Sequence, residues 1–180
     1  MAKLRILFLM LITSLFFLAA EENLDFQPLP KGFQDITLGL SMDETRAALM
    51  DDAWFLFRGE PDVSLLSSPN QTLIDSRGAD YVSRGLFQFK DDFLYTITII
   101  LNSERMDYFS MFTSFNQKYG EFSSLNPDMA VWEDDTVRIS LEKPLSVKYI
   151  HKETFETLRR EAARGINLGT MNRQEFIDQF

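Results

Sequence analysis

The side chains that most often carry out chemistry are scarce in this chain. The chain has one histidine, His151, and no cysteine. A histidine that acts as a general base needs a nucleophile and an orienting acid, and no G-x-S-x-G or comparable motif presents a serine. The sequence therefore predicts a structural role for His151, at the junction of a predicted strand and a predicted helix. No catalytic residue is predicted.

Adjacent aspartates occur three times, and such pairs could act as acid/base couples or as oxygen ligands for calcium. Neighbouring residues on a strand point to opposite faces, and the pairs lack EF-hand spacing. The glycines are isolated from one another, so no phosphate-binding loop is indicated. We predict solvated turns, no metal, no cofactor and no enzymatic activity; the alternative is an enzyme of unfamiliar type that uses Asp91 or Asp134. The pairs are Asp51-Asp52, Asp91-Asp92 and Asp134-Asp135.

The stretch from Phe87 to Gly120 is the predicted centre of the fold. Two apolar runs flank Lys90-Asp91-Asp92, which predicts a tight β-hairpin with an acidic tip in water. The second run predicts a central strand with Phe93, Tyr95, Ile97, Ile99 and Leu101 on its core face. A helix follows, with Asn102 or Ser103 as its N-cap and Gly120 as its end. Its aromatic stripe is expected to be core, with Phe112 fully buried; the stripe consists of Met106, Phe109, Phe112, Phe115 and Tyr119.

The first twenty residues predict export. Lys3 and Arg5 precede a thirteen-residue run, Ile6 to Leu18, which is apolar apart from Thr13 and Ser14, and Ala19-Ala20 end the segment. This is the pattern of a secretory signal peptide cleaved after Ala20, which places the protein in the periplasm or outside the cell. A retained inner-membrane signal anchor is the alternative. Without cysteine, the chain cannot carry a cysteine-linked lipid or a disulfide.

The charge of the exported chain restricts its partners. Once Lys3 and Arg5 are removed, 16 basic residues face 27 acidic ones, a net charge of −11. Such an acidic surface argues against nucleic acid and anionic lipid, and it favours a protein partner with a basic face. We predict no membrane insertion after signal cleavage, and the sequence does not indicate an oligomeric state.

The remaining segments predict an α+β fold made of two fused helix-plus-antiparallel-sheet repeats, each a helix followed by a β-meander, with a C-terminal helix. The first helix begins at the capping box of Ser41 and Glu44 and is closed by Asp51-Asp52. Trp54 to Phe57 is predicted as a strand, and Val63 to Asn70 as a surface loop. Further predictions are a hairpin around Asp134-Asp135, a turn at Lys143-Pro144, a strand from Leu145 to Ile150, a helix from Lys152 to Gly165 and a last helical turn or two in 172–180.

An internal repeat is inferred from offsets along the chain. The segments Ile36–Ser41 and Ile97–Asn102 align at an offset of 61, whereas the acidic tips at Asp91 and Asp134 are 43 apart. The difference of 18 residues predicts an insertion near 58–75 in the first copy. The predicted division is 1–20 signal peptide, 21–34 flexible leader, 35–101 first unit with the insertion, 102–165 second unit with the C-terminal helix, and 166–180 tail.

The nine residues from Ile36 to Glu44, with the short helix and strands that follow, resemble the "LGMS-x-x-E-V" opening of small exported α+β domains of the BamE (SmpA/OmlA) and β-lactamase-inhibitor-protein-like type. The resemblance implies a protein without catalysis that presents a sheet face or a loop to another protein. It does not imply a lipid anchor, because the lipid-bearing cysteine of the BamE pattern is absent. No binding residue is carried over from these families.

The function predicted from the residues is an exported, noncatalytic protein-binding or assembly module of the cell envelope, with another envelope protein as its partner. A signal-anchored structural subunit of an envelope complex is the alternative. The segment 58–75 and the apolar C-terminal end are left over once a core is assigned, and large apolar groups at a chain end favour docking. The candidate partner-binding residues are Arg58, Glu60, Asp62, Leu65, Leu66, Phe176, Ile177 and Phe180.

Overall fold

The computed structural model describes residues 26–66 and 70–178, with the backbone alone from 165 to 176. The predicted signal peptide, Phe176 as a side chain and Phe180 therefore lie outside the described residues. Three α-helices, one short 3-10 helix (Glu60–Asp62) and ten strands are present in the described ranges. The α-helices and strands are β1 (Gly32–Phe33), β2 (Ile36–Thr37), α1 (Met42–Asp51), β3 (Val63–Leu65), β4 (Gln71–Arg77), β5 (Val82–Lys90), β6 (Phe93–Leu101), α2 (Tyr108–Tyr119), β7 (Ser124–Leu125), β8 (Met129–Glu133), β9 (Val137–Glu142), β10 (Ser146–His151) and α3 (Lys152–Ile177).

Eight of the strands form one antiparallel sheet in the order β3-β4-β5-β6-β10-β9-β8-β7, and β1 pairs separately with β2. Each half of the sheet is a meander of four consecutive strands, preceded in the chain by one helix. The last strands of the two meanders, β6 and β10, pair with each other at the middle of the sheet. Their pairing runs from Ile100 opposite Ser146 to Thr96 opposite Ile150. The predicted α+β class, the two acidic-tipped hairpins and the central position of β6 are confirmed.

One face of the sheet carries the core, and we call it the packed face. Its side chains line up across neighbouring strands and pack with Leu49 of α1, Phe115 of α2 and Ile36 of β2. Burial of this apolar layer is the main stabilising contribution to the fold. The row through its centre consists of Ile74, Phe87, Ile97, Tyr149, Ile139 and Trp132.

A register shift interrupts this alternation in β6. Between Gln88 and Phe89 the pairing slips, so that Leu94 lies opposite Phe89 and joins it in the core. A β-bulge of this kind places two residues of one strand opposite one of the other. The predicted core face of β6 is therefore correct for Ile97 and Ile99 and wrong for Tyr95, which is buried outside the core cluster.

Helix α1 begins as predicted. The Ser41 amide donates to Glu44 Oε2 at 2.8 Å, and the Glu44 amide donates to Ser41 Oγ at 3.3 Å. The exposed carboxylate of Asp92 adds a contact from the tip of the β5–β6 hairpin, because its Oδ1 accepts from the Met42 amide at 2.8 Å. The acidic tip thus lies in water as predicted and also holds the first turn of α1.

Helix α2 differs from the prediction at its start. Its N-cap is Asp107, whose Oδ1 accepts from the Ser110 amide at 2.9 Å, and not Asn102 or Ser103. Asn102 instead closes a separate turn, in which its carbonyl accepts from the Arg105 and Met106 amides. The helix ends at Gly120 as predicted, with a φ of 83° that favours glycine.

The aromatic stripe of α2 is only partly core. Phe115 is buried and Phe112 is half-buried, whereas Phe109 is 74% exposed. The predictions that the whole stripe is core and that Phe112 is fully buried are wrong. Phe109 and Phe115 are six residues apart, which places them about 120° apart around an α-helix, so the two rings cannot both face the sheet.

Three other predicted segments differ from the structure. Trp54 to Phe57 is not a strand, since Phe55 forms one isolated bridge with Gly78. The predicted loop at 63–70 contains β3, which pairs with β4 and forms one edge of the sheet. The predicted C-terminal helix and last helical turns are one helix, α3, up to Ile177. Within the described part of the chain, no helix combines the length and the apolar character that a membrane span requires.

The two acidic tips used to infer an insertion occupy different positions in the sheet. Asp91-Asp92 joins the third and fourth strands of the first meander, whereas Asp134-Asp135 joins the second and third strands of the second. Their offset therefore does not measure an insertion. The division of the chain into the proposed segments stays a prediction.

Candidate binding surfaces

His151 contacts groups that give it a structural role at the start of α3. Its Nδ1 lies 2.9 Å from Thr154 Oγ1, and its ring lies edge-on to Phe93 with 5.1 Å between the ring centres. Lys152 also starts the helix with its amide bonded to the Thr136 carbonyl. These contacts connect the end of β10 to the tip of the β8–β9 hairpin.

The paired aspartates close turns. Asp52 Oδ1 accepts from the Trp54 amide at 2.6 Å, and Asp134 Oδ1 accepts from the Thr136 and Val137 amides at 2.7 Å each. Asp91 Oδ1 accepts from the Asn70 side chain at 2.8 Å. In residues 26–66 and 70–178, no group of three or more acidic or histidine side chains is arranged to hold a metal ion.

The predicted binding residues of segment 58–75 are partly bound within the chain itself. The carboxylate of Asp62, 3% exposed, accepts from the Arg58 amide at 2.9 Å and from the Arg58 guanidinium. The side-chain hydrogen bond to Asp62 raises the pKa of Arg58, so the guanidinium keeps its charge. Glu60 pairs instead with Arg46 Nη2 at 2.9 Å. The Arg58–Asp62 pair thus connects two residues within the segment, and the Glu60–Arg46 pair connects the segment to α1.

The apolar candidates remain available to solvent where they are described. Leu65, at the end of edge strand β3, is 87% exposed, and Ile177 near the end of α3 is half-exposed. Leu66 is half-buried, with its amide bonded to the Gln71 carbonyl. The structure thus brings Arg58 and Asp62 together and leaves Leu65 apart from these ion pairs.

The face of the sheet opposite the packed face is a larger candidate, and we call it the open face. Helices α1 and α2 pack on the other side, and α3 contacts β6 and β10 near Phe93 and His151. Side chains of six strands line up there in three rows, taken in the order β4, β5, β6, β10, β9, β8. The first row runs Leu73, Gln88, Thr96, Ile150, Arg138, Glu133; the second runs Asp75, Leu86, Thr98, Lys148, Ser140, Val131; the third runs Arg77, Arg84, Ile100, Ser146, Glu142, Met129.

Ion pairs order the charged members of these rows. Lys148 Nζ lies 2.9 Å from Glu142 Oε1, and Arg138 Nε lies 2.8 Å from Glu133 Oε2. On the other half of the face, Arg84 Nε lies 2.7 Å from Asp75 Oδ1.

The paired guanidinium groups also stabilise the ionised carboxylates. The hydrogen bond from Arg138 lowers the pKa of Glu133, and that from Arg84 lowers the pKa of Asp75. Exposed pairs of this kind contribute little to stability. They do hold long side chains in fixed positions, with apolar residues such as Leu86 and Ile100 between them.

A second exposed surface lies between α2 and β7, and we call it the α2–β7 groove. Phe109 and Leu125 are its exposed apolar members, and the groove has a volume of about 490 Å³. The Tyr108 hydroxyl in its wall donates to the Leu141 carbonyl at 3.2 Å, and Lys143 Nζ lies 5.7 Å from the centre of the Tyr108 ring. The sequence prediction missed this groove because it assigned Phe109 to the core.

The comparisons with known proteins identify a family. The TP0088 domain model matches residues 31–161, which is most of the chain. The chain belongs to the TP0088 domain family. No curated protein and no solved structure matches it.

The extent of the TP0088 domain fits the structure. The matched residues contain β1 and β2, the whole eight-stranded sheet, α1, α2 and the first ten residues of α3. Both the open face and the α2–β7 groove therefore lie within the TP0088 domain. The rest of α3 follows it.

Proposed function

We propose that the protein is an exported, noncatalytic module of the cell envelope that binds another protein through the open face of its sheet. The observation that carries this proposal is the alignment of three rows of side chains across six strands. Antiparallel sheets often leave one face in water. Here the half-buried side chains of Leu73, Leu86 and Ile100 lie among charged side chains held in ion pairs, and a non-obligate protein–protein interface is likewise only about as apolar as the rest of a protein surface.

Pre-ordered side chains favour binding. Association costs free energy for each flexible side chain that becomes fixed, and a lysine or arginine already held by a carboxylate loses less freedom. The strands beneath the face are rigid because both central strands, β6 and β10, have neighbours on each side. The three rows of the open face carry four basic and three acidic side chains, so the charge of this face is nearly balanced. The net charge of −11 expected after signal cleavage therefore arises from the rest of the chain.

We further propose that the molecule consists of two fused helix-plus-antiparallel-sheet units, near 35–101 and 102–165. In support, the order helix then four strands occurs twice, and equivalent last strands, β6 and β10, pair antiparallel at the centre. The resemblance to BamE and β-lactamase-inhibitor-protein-like domains implies the same kind of use, in which a sheet face is presented to a protein.

Site-specific photocrosslinking in intact cells tests the function. A photoreactive residue at Thr98, near the centre of the open face, is expected to capture one partner, because Thr98 is only half-buried and lies between Leu86 and Lys148. The same residue at Met50, which is exposed on α1, is the matched control and should capture none. Capture at Met50 but not at Thr98 would contradict the proposal.

A charge exchange across the face provides a second test. The single change Lys148→Glu is expected to weaken capture, and so is the double change Lys148→Glu with Glu142→Lys, which keeps the ion pair but exchanges its ends. A double variant with the wild-type melting temperature and no captured partner would separate recognition from folding. Unchanged capture by the double variant would oppose a role for the open face.

The alternatives are decided by two simpler measurements. N-terminal sequencing of the native protein is expected to begin at Glu21, and residues 1–20 still attached would favour the signal-anchored subunit. An activity screen is expected to find no turnover, and turnover abolished by changes at Asp91 or Asp134 would favour the enzyme.

A further inference from the structure

A cavity of about 380 Å³ lies on the packed side of the sheet, away from the open face. One wall is the N-terminal segment around β1, another is α2, and the floor is formed by β6 and β10. This volume lies at the lower end of the range for small-molecule pockets in proteins. Its apolar lining consists of Phe33, Ile99, Leu101, Met111, Phe115 and Val147.

Two phenol groups line this apolar space without a protein partner. Tyr149 is 7% exposed, and its hydroxyl makes no hydrogen bond to any residue in the described ranges; the same holds for the hydroxyl of Tyr119. Neither hydroxyl oxygen is itself fully buried, so both are accessible from the cavity and available to donate to a bound ligand. Burial and the nearby Tyr119 phenol raise the pKa of Tyr149. Both hydroxyls therefore stay protonated and can donate.

The charged and polar residues that line the cavity indicate which class of ligand it could bind. Lys118, exposed on α2, is the one charged residue among the described residues that line the cavity. Ser114 and Gln34 add neutral polar groups. The absence of carboxylates from this lining is notable in a chain with 27 acidic residues, because a carboxylate would repel an anionic ligand.

We propose that this cavity binds a small apolar carboxylic acid, with its hydrocarbon part among the apolar residues and its carboxylate accepting hydrogen bonds from the Tyr149 and Tyr119 hydroxyls. Lys118 at the rim supplies the opposing charge. Phenol and ammonium donors to a carboxylate form the stronger, charge-assisted class of hydrogen bond. This proposal does not depend on the open face, since the cavity lies on the other side of the sheet.

Calorimetric titration of the purified chain with decanoate tests the proposal, with decanol as the uncharged control of equal chain length. Decanoate is expected to bind at least ten-fold more tightly than decanol. A third arm with 3-phenylpropanoate distinguishes an aromatic from an aliphatic acid. Equal affinity for decanoate and decanol would overturn the carboxylate assignment, and no heat from any of the acids would overturn the ligand site.

Two variants locate the binding. Tyr149→Phe removes one oxygen and keeps the ring in the core, so the melting temperature should stay within a few degrees while decanoate binds at least five-fold more weakly. Tyr81→Phe, at a half-exposed tyrosine that contacts Trp54, is the matched control and should not change binding. Ser114→Leu should block the cavity. Full binding by both Tyr149→Phe and Ser114→Leu would show that decanoate binds elsewhere and would overturn the proposal.

Discussion

Three phenylalanines of one helical stripe occupy three different environments. Phe115 packs against Trp132, with 5.3 Å between the ring centres, and it is buried. Phe112 lies one turn earlier, half-buried between Trp132 and Phe122. Phe109 lies one further turn away and faces the solvent in the α2–β7 groove. The same residue type therefore contributes to stability at one end of α2 and is available for contact at the other.

These environments predict a graded series of stabilities. Phe115→Ala is expected to lower the free energy of unfolding by about 3–5 kcal/mol, the usual cost of removing a buried phenylalanine ring. Phe112→Ala should cost less, and Phe109→Ala should remain within about 0.5 kcal/mol of wild type. Urea unfolding of the three variants measures the series. If Phe109→Ala is as destabilising as Phe115→Ala, α2 packs on the sheet differently.

The capping box of α1 predicts a pH-dependent contribution to stability. Hydrogen bonds from the Ser41 amide and hydroxyl lower the pKa of Glu44 below its usual value near 4.5. A carboxylate with a lower pKa in the folded state stabilises the fold above its unfolded pKa, and this stabilisation is lost as the pH falls through the folded pKa.

Glu44→Gln should therefore melt below wild type at pH 7, and the difference between the two melting temperatures should shrink as the pH falls through the lowered pKa of Glu44 in the folded state, where its carboxylate becomes protonated. The measurement is the melting temperature between pH 3 and pH 7. Glu104→Gln is the control, because this exposed carboxylate makes no hydrogen bond within the described residues. A difference between Glu44→Gln and wild type that is the same at both pH values would contradict the assignment.

At the scale of the elements, the β5–β6 turn connects two distant parts of the chain. Asp91 and Asp92 both have positive φ, 50° and 62°, which suits a tight hairpin turn and is tolerated best by glycine, asparagine and aspartate. Asp92 also accepts from the Met42 amide, as described above. One residue thus fixes the hairpin turn and the first turn of α1.

We expect Asp92→Ala to cost about 1–2 kcal/mol, the upper part of the range for lost helix caps, because the acceptor is removed and alanine is strained at positive φ. Asp92→Asn is the matched control and should stay near wild type, since it keeps an acceptor oxygen and tolerates this φ. Urea unfolding of both variants provides the comparison. A neutral Asp92→Ala would show that the contact with Met42 does not stabilise α1.

The sequence predicts those elements whose causes are local. Alternation and turn residues within a few positions specify the hairpins at Asp91-Asp92 and Asp134-Asp135, and the capping box lies within four residues. Strand β3 was missed because three residues give too short a pattern, and its pairing with β4 depends on the tertiary fold. Asp107 was missed as the N-cap because Asn102 is also a good capping residue and lies five positions earlier.

For the surfaces too, only features with local causes can be predicted from the sequence. Alternation along β9, in which Arg138, Ser140 and Glu142 lie on one side of the strand, indicates part of the open face from the sequence, although Ser140 itself is buried. The cavity could not be predicted, because Phe33, Met111 and Tyr149 come together only through the arrangement of β1, α2 and β10. The register shift that removes Tyr95 from the core also has no local signal.

At the scale of the molecule, α3 extends beyond the end of the TP0088 domain. Phe155 and Leu158 near its start are half-buried, whereas the described side chains from Arg159 to Arg164 are exposed. The TP0088 domain match ends at residue 161. The side chains from Arg159 to Arg164 therefore contribute little to the core.

A truncation after Arg164 should keep the melting temperature within a few degrees of the full chain, because the removed segment follows six exposed positions. Truncation after His151, which also removes Phe155 and Leu158, is the comparison and should melt clearly lower. Thermal denaturation of both proteins checks the prediction. A large loss of stability in the longer truncated protein would show that the end of α3 packs on the domain.

The pairing of β6 with β10 has a consequence for how the chain reaches its folded state. The residue that pairs with Ile97 is Tyr149, about 50 residues later, and contacts so far apart in the sequence form slowly. Until the last strand is available, β6 presents free backbone N–H and C=O groups and a row of isoleucines, which is a template for pairing with another chain. On the export route proposed above, the chain would leave the secretion channel with its N-terminus first and expose this template during its passage. Its yield on that route should then depend on chaperones that protect unpaired strands from aggregation.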